Sequence, residues 1–402
     1  MSRLIEDYIR EAFNERQVSE EQREKLWRYY YDKLSNAVDV GYSPTLEHYS
    51  EELALSLKRN IAEFSAFKET SFRKQLEASL TDNGRVLSWR EFKQKADDLN
   101  IEYNRRWLKT EYDQTVAIAT QAGKYQKYLA NKHLYPNLQY RTIGDRRVRE
   151  KHQAWDGLIL PVEHEFWKTH LPPNDWGCRC YVVPTDEPVS EYAKADPPIK
   201  EAFANNPALS GKIFSTSAYL TSGGFNPEMI EKITAWSIEM FNKVIRESKV
   251  LLEKSKLLAP YKTIYKAKNG ATVKVSPFAD KKDLSSNIAT AKILAKELGV
   301  PVKIRPHLNP DIMFKVKNPE YEILGKIAER KAVETSKVKN LRNVYRSANE
   351  QGCECIVFDL DASPLSIEEV EIEAVRKFKT FPKITNVYII KNGKVINVKS
   401  NS

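Results

Sequence analysis

From Met1 to Ala130 the chain contains one proline, Pro44, and that scarcity constrains the fold more than any other feature. A proline inside a helix removes a hydrogen-bond donor and clashes with the preceding turn, so a long stretch without one is free to form long helices. The apolar spacing agrees. SEEQREKLWRYYYDKLSNAV opens with a capping-box pattern at Ser19 and Gln22 and sets Leu26, Tyr29, Tyr30 and Leu34 near helical spacing. LEHYSEELALSLKRNIAEFSAFKETSFRKQLEASL and SWREFKQKADDLNIEYNRRWLKTEYDQTVAIATQAGKYQKYL are further amphipathic stretches. Such helices pack on one another or on a partner, and nothing in them points to chemistry.

From Leu134 to Pro188 the texture changes to short strands and loops rich in Trp, His, Pro and Gly, and residues 186–227 read as loop. PEMIEKITAWSIEMFNKVIRESKVLLEKSK predicts a single bridging helix. Beyond Tyr261 strand and helix signals alternate: strands at YKTIYKA and ATVKVS, a helix NIATAKILAKELG ending at Gly299, a strand VPVKIRP and a hairpin EYEIL–KIAERKAV. A helix KVKNLRNVYRSANEQ, a buried strand CECIVFDL, another helix and a closing strand VYIIKNGKVINV follow. The expected fold class is multidomain α+β, with a helical amino-terminal region, a small mixed α/β domain and a carboxyl-terminal α/β domain.

Charge divides along the same line. Of the formal +10, all lies from Tyr261 onward, where 26 Lys and Arg face 16 Asp and Glu; the preceding part is balanced at 38 against 38. A local basic excess points to a polyanionic partner, RNA or DNA before membrane. No apolar run approaches bilayer length, and the first residues lack a signal-peptide core, so cytoplasmic synthesis without membrane association is expected. Four cysteines in such a chain argue against a disulfide framework, and a bond between Cys178 and Cys180 would be strained.

That cysteine pair, in HLPPNDWGCRCYVVP, lies near His152, His164 and His170. Thiolate and imidazole are the ligands zinc prefers, which makes His152, His170, Cys178 and Cys180 a candidate structural Zn²⁺ site. Cys353 and Cys355 show the same spacing within CECIVFDL, where the plain reading is a packed strand, and that reading is equally open for the first pair. The run DRRVREKHQAWDG, then FW, then LPPNDWGCRCYVVPT resembles the phage Mu F-like head morphogenesis family over about residues 90–188. The positions carrying the resemblance are Asp145, Arg149, His152, Asp156, Gly157, Pro173, Trp176, Gly177, Cys178, Arg179 and Cys180. It implies a minor head protein that contacts portal or capsid proteins and is found in the virion.

NPEYEILGKIAERKAV carries the sharper chemistry. On a strand Glu329 and Lys331 share a face, and Glu320 can approach from the neighbouring strand. Two carboxylates there could hold Mg²⁺ or another divalent cation for phosphodiester hydrolysis, with Lys331 stabilising the developing charge. Lys337, Lys339, Arg342 and Arg346 on the next helix could meet phosphates. The order of elements over residues 270–398 resembles the PD-(D/E)xK nucleases, and more closely the tRNA-cleaving carboxyl-terminal toxin domains of the contact-dependent inhibition CdiA proteins. The resemblance implies a restriction-endonuclease-like fold, catalytic Glu320, Glu329 and Lys331, metal ligands Glu320 and Glu329 with Asp283 as an added candidate, and an immunity protein as partner. Two other readings stand beside it: a metal-free ribonuclease using His307, and a non-enzymatic capsid protein whose basic end binds packaged DNA. The boundaries expected are 1–88 (helical), 89–188 (head domain), 189–258 (linker and bridging helix) and 259–402 (nuclease-like domain).

Overall fold

A computed structural model describes residues 3–192, 199–313 and 316–400, and places them in two compact units, Met1–Lys243 and Val244–Ser402. The division falls inside the bridging helix rather than after it, and the helical region, head domain and most of the linker expected separately share one unit.

In the first unit the chain runs through α1 (Arg3–Asn14), α2 (Glu20–Gly41) and α3 (Glu51–Ala78), a small hairpin of β1 (Thr81–Asp82) and β2 (Arg85–Val86), and α4 (Trp89–Asn100). A π-helical turn, Ile101–Trp107, joins α4 to α5 (Leu108–Ala130) without a break. Ser19 caps α2 by accepting from the Gln22 amide, whereas the full reciprocal box forms at Ser88 and Glu91 ahead of α4. Helix α2 packs against both α3 and α5, burying Leu26, Trp27, Tyr30, Tyr31 and Leu34; Trp27 Nε1 donates to the Ala62 carbonyl at 3.0 Å. Gly41 lets the end of α2 lie directly on α5, since a Cβ there would strike the Val116 carbonyl.

A three-stranded antiparallel sheet follows, with β3 (Asn137–Arg141) between β4 (Ile159–Pro161) and β5 (Tyr181–Thr185). Short helices α6 (Glu150–Gln153) and α7 (Trp167–His170) complete it around a core of Tyr140, Trp155, Phe166, Trp167 and Leu171. Residues 199–222, expected as linker, are built into this unit, because their aromatic side chains find partners. Phe203 meets Trp176 edge-on with ring centroids 5.0 Å apart, and Phe214 stacks on Phe64 at 4.7 Å. The Asn60 side chain accepts from the amides of Ile213 and Phe214, both at 2.9 Å. Within this stretch α8 (Pro207–Ser210) and α9 (Ala218–Ser222) are short; α10 (Pro227–Ser255) is the bridging helix, and its Trp236 packs on Trp27. Linker residues 193–198 lie outside the described residues.

The second unit is built on an eight-stranded sheet whose spatial order follows the sequence: β6 (Lys262–Lys266), β7 (Thr272–Val275), β8 (Val302–Ile304), β9 (Tyr321–Ile323), β10 (Lys326–Ala332), β11 (Cys355–Asp359), β12 (Asn386–Lys391) and β13 (Lys394–Lys399). Pairs β7–β8, β10–β11 and β11–β12 are parallel and the rest antiparallel. The parallel pairs are joined by α11 (Leu284–Leu298), α12 (Arg342–Glu350) and α13 (Ile367–Thr380) respectively. One face, with Val273, Val302, Tyr321, Ile323, Ala328 and Val357, packs on α11. On the other, Ile356, Phe358, Val387 and Ile389 pack with Tyr345, Ala348, Val370 and Ala374 of α12 and α13. The stretch VYIIKNGKVINV is two strands rather than one, because Asn392 (φ 50°) and Gly393 (φ 74°) form the left-handed pair that a two-residue hairpin turn needs. No helix among the described residues is long and apolar enough to cross a membrane.

Candidate functional site

The site grows out of the β9–β10 hairpin. Leu324 (φ 53°) and Gly325 (φ 82°) form its turn, which pairs Ile323 with Lys326 and Tyr321 with Ala328. One step beyond that register brings Glu320 opposite Glu329. Alternation along β10 then sorts its charges. Arg330 turns toward α11, where Nε donates to Thr290 Oγ1 at 2.9 Å and Nη2 to Asp359 Oδ2 at 2.7 Å. Glu329 and Lys331 turn to the other face, beside Ile356 and Phe358 of β11.

Glu320 is held by the Arg330 backbone amide, which donates to its Oε2 at 3.1 Å. Burial first, then the Glu320 carboxylate, push the Glu329 carboxyl up to about 7, while the Gln351 side chain and, less strongly, the Lys331 ammonium pull it down. Glu329 Oε2 is buried and has no hydrogen-bond partner. Lys331 is exposed, as are Lys337, Lys339, Arg342 and Arg346. The last two stand on the outer side of α12, opposite Tyr345 and Ala348, which are buried.

Asp283 is not drawn to the pair. It precedes α11, exposed, and its carbonyl accepts from Ser286 Oγ and the Asn287 amide; its carboxylate and Glu320 share only the lining of a polar pocket. His307 lines the same pocket, with Nδ1 3.8 Å from Asp280 Oδ2. Sequence reasoning passed over Arg305. Its amide donates to the Glu320 carbonyl at 2.8 Å, its Nη1 to the Pro319 carbonyl at 3.0 Å, and its charge reaches the Cys353 thiol together with those of Glu329 and Glu320. The signal was present in VKIRP, where Lys303 and Arg305 alternate onto the face opposite the core residues Val302 and Ile304.

The first unit holds a separate cluster. Among the described residues, His152, Cys178 and Cys180 form the one group of three metal-ligating side chains whose ligand atoms all lie within 4.8 Å of one another. His152 Nδ1 is 3.6 Å from Cys178 Sγ and 3.8 Å from Cys180 Sγ. His170 stands apart from it: its ring stacks on Phe166 at 4.3 Å and its Nδ1 meets Thr169 Oγ1 at 2.8 Å. The loop carrying the thiols is braced by Arg149, whose Nε lies 3.0 Å from Asp175 Oδ2, by Arg179 on Asp145, and by the Gly177 amide, which donates to Gln114 Oε1. Hydrogen bonding to Cys180 and then to His152 draws the Cys178 thiol down to about 4, and the proton stays with Cys180, whose thiol is pushed up. Cys353 and Cys355 are unlike this pair: they are buried in the cores on opposite faces of the large sheet, and burial pushes both up to about 12.

These two sites fall in segments with different likenesses. Residues 59–183 match the family described as Phage Mu protein F like protein, and residues 317–395 match the contact-dependent growth inhibition CdiA C-terminal domain. The chain therefore carries a phage Mu F-like domain followed by a CdiA C-terminal toxin domain. Protein F of Escherichia phage Mu, named for capsid assembly, is 29% identical over 136 residues, which are 32% of this chain and 31% of that protein. The Mu-like prophage FluMu F protein of Haemophilus influenzae is 33% identical over 126 residues, 31% of this chain and 28% of its own length. The chain thus spans less than a third of either relative. Among solved structures, a CdiA-CT/CdiI toxin and immunity complex from Burkholderia pseudomallei aligns at 24% identity, covering 31% of this chain and 91% of that one; its TM-score of 0.24 is too low to carry an argument. The Mu F-like match begins inside α3, earlier than the boundary expected at residue 89.

Proposed function

We propose that the chain is a phage head component whose second unit is a metal-dependent nuclease, a toxin-like effector that cuts RNA, with tRNA as the substrate class. One observation carries the chemical reading: Glu320 and Glu329 converge on the face of the β9–β10 hairpin turned away from α11, with a buried unpartnered oxygen on Glu329 and Lys331 two residues on. That orphaned oxygen, and a proton retained to about 7 first by burial and then by the neighbouring Glu320 carboxylate, are what a divalent cation would relieve, so the donor set fits such an ion. Glu320 and Glu329 would hold it. When bound, the cation would polarise the scissile phosphate and generate a water nucleophile near neutral pH.

The chain's own residues supply the rest. The Arg330 amide fixes Glu320, and the Arg330 side chain, tied to Thr290 and Asp359, keeps β10 in register. Lys331 offers an ammonium to charge developing on the phosphate oxygens. Arg305 adds a guanidinium suited to gripping a flanking phosphate, and the exposed cations of α12 and the turn before it draw in the polyanion. The CdiA-like domain further supports an immunity protein as the partner that blocks this face. The Mu F-like match supports contacts with portal or capsid proteins and a place in the virion.

The deciding experiment incubates the purified full chain with total tRNA and Mg²⁺. Cleavage abolished by EDTA and reduced at least 100-fold in both Glu329→Gln and Lys331→Ala supports the reading. Cleavage that resists EDTA and disappears in His307→Ala would move the activity to a metal-free ribonuclease. Salt-sensitive binding of DNA, without scission of any nucleic acid under any divalent cation, would leave a structural capsid role.

A further inference from the structure

We propose that the Mu F-like unit binds one thiophilic divalent cation, Zn²⁺, through His152 Nδ1, Cys178 Sγ and Cys180 Sγ. Three donor atoms of the types zinc favours lie within 4.8 Å of one another, and one imidazole nitrogen faces both sulfurs. Nε2 of His152 is buried with no hydrogen-bond partner, so Nδ1, toward the two sulfurs, is the nitrogen through which the ring engages its surroundings. The ring is positioned by stacking on Trp155, centroids 5.6 Å apart, and that stacking aims Nδ1 at the thiols. The second cysteine pair of the chain is the internal contrast: with the same spacing it divides between two cores and converges on nothing.

The loop that brings the sulfurs together is anchored independently of any ion. Asp175 takes ion pairs from Arg149 at 3.0 Å and Lys200 at 2.8 Å, and Arg179 reaches Asp145 at 2.7 Å. The cluster is therefore preorganised, and the cation adds stability to a loop already shaped. His152, Cys178 and Cys180 also line a small pocket with Arg147, Arg149 and Arg179, from which solvent or an anion would supply a fourth ligand to an ion held by three protein donors. Binding replaces the one remaining S–H bond, that of Cys180, by an S–metal bond and releases its proton to solvent, with no change of oxidation state.

The test uses the full chain, expressed in zinc-supplemented medium and analysed for metal by mass spectrometry. About one zinc per chain is expected. It should fall below a tenth of that in Cys178→Ser/Cys180→Ser and stay unchanged in Cys353→Ser/Cys355→Ser. A readout free of mutation is Co²⁺ titration of the chelator-treated parent, which should develop thiolate-to-cobalt charge-transfer absorption saturating at one equivalent. Parent protein that carries no zinc and gives no such absorption overturns the proposal. So does zinc retained at one per chain by the Cys178→Ser/Cys180→Ser variant. Loss of nuclease activity with the zinc site intact, or the reverse, tells this proposal apart from the one for the second unit.

Discussion

Glu329 sets the behaviour of the second unit at the residue scale. Its carboxyl, raised to about 7 in the fold against an ordinary 4.5, makes the native state bind a proton that the unfolded chain releases. A group shifted this way contributes stability fully below about 4.5 and loses it as pH climbs through 7. In metal-free buffer the unfolding temperature of this unit should therefore decline between those pH values more steeply than in Glu329→Gln. Millimolar Mg²⁺ should restore it at pH 8 and not at pH 4.5; scanning calorimetry with and without EDTA measures both. Lys331→Arg should keep the charge and recover only part of the rate, because a planar fork cannot occupy the position of a compact ammonium. Single-turnover cleavage rates of Lys331→Arg and Lys331→Ala compare them. The pair Glu320 and Glu329 was legible in the sequence, since period-two alternation and a two-residue turn fix which side chains meet. For Arg305 the alternation in VKIRP gave its face but not its neighbour, because its nearness to Glu320 depends on β8 pairing with β9.

Among the elements, the most informative is the segment after the Mu F-like match. Its prolines and small polar residues read as a linker, yet Phe203, Phe214 and Tyr219 are buried in the first unit. Composition describes the backbone's freedom and does not reveal that a few aromatics have pockets waiting for them. Phe214→Ala should cost the first unit about 3 kcal/mol by leaving Phe64 and Trp176 without their partner, and urea unfolding followed by tryptophan fluorescence measures the loss. The long helices were legible because their pattern is local. The π-helical turn at Ile101–Trp107 was not, since its sequence is as helix-compatible as that of its neighbours. His170 was misplaced for a similar reason: nearness in sequence suggested a shared site, and aromatic stacking on Phe166 took the ring elsewhere.

For the whole molecule, segregation of charge is the feature with the widest reach. The basic excess belongs entirely to the part of the sequence that holds the hairpin site. Replacing Lys337, Lys339, Arg342 and Arg346 together by Ala should lower the slope of log K against log salt for RNA binding by about 3 to 4. Cleavage at low salt should survive. Fluorescence anisotropy across a salt series measures the slope. The strand order from β6 to β13 has a further consequence. Every strand bonds to the one synthesised just before it, so no part of the sheet waits for a distant segment before it can form. A polypeptide drawn in extended form through a narrow conduit could rebuild this domain progressively on the far side, each length of chain docking on what had already emerged. For the effector role proposed above, such an architecture makes delivery and refolding compatible.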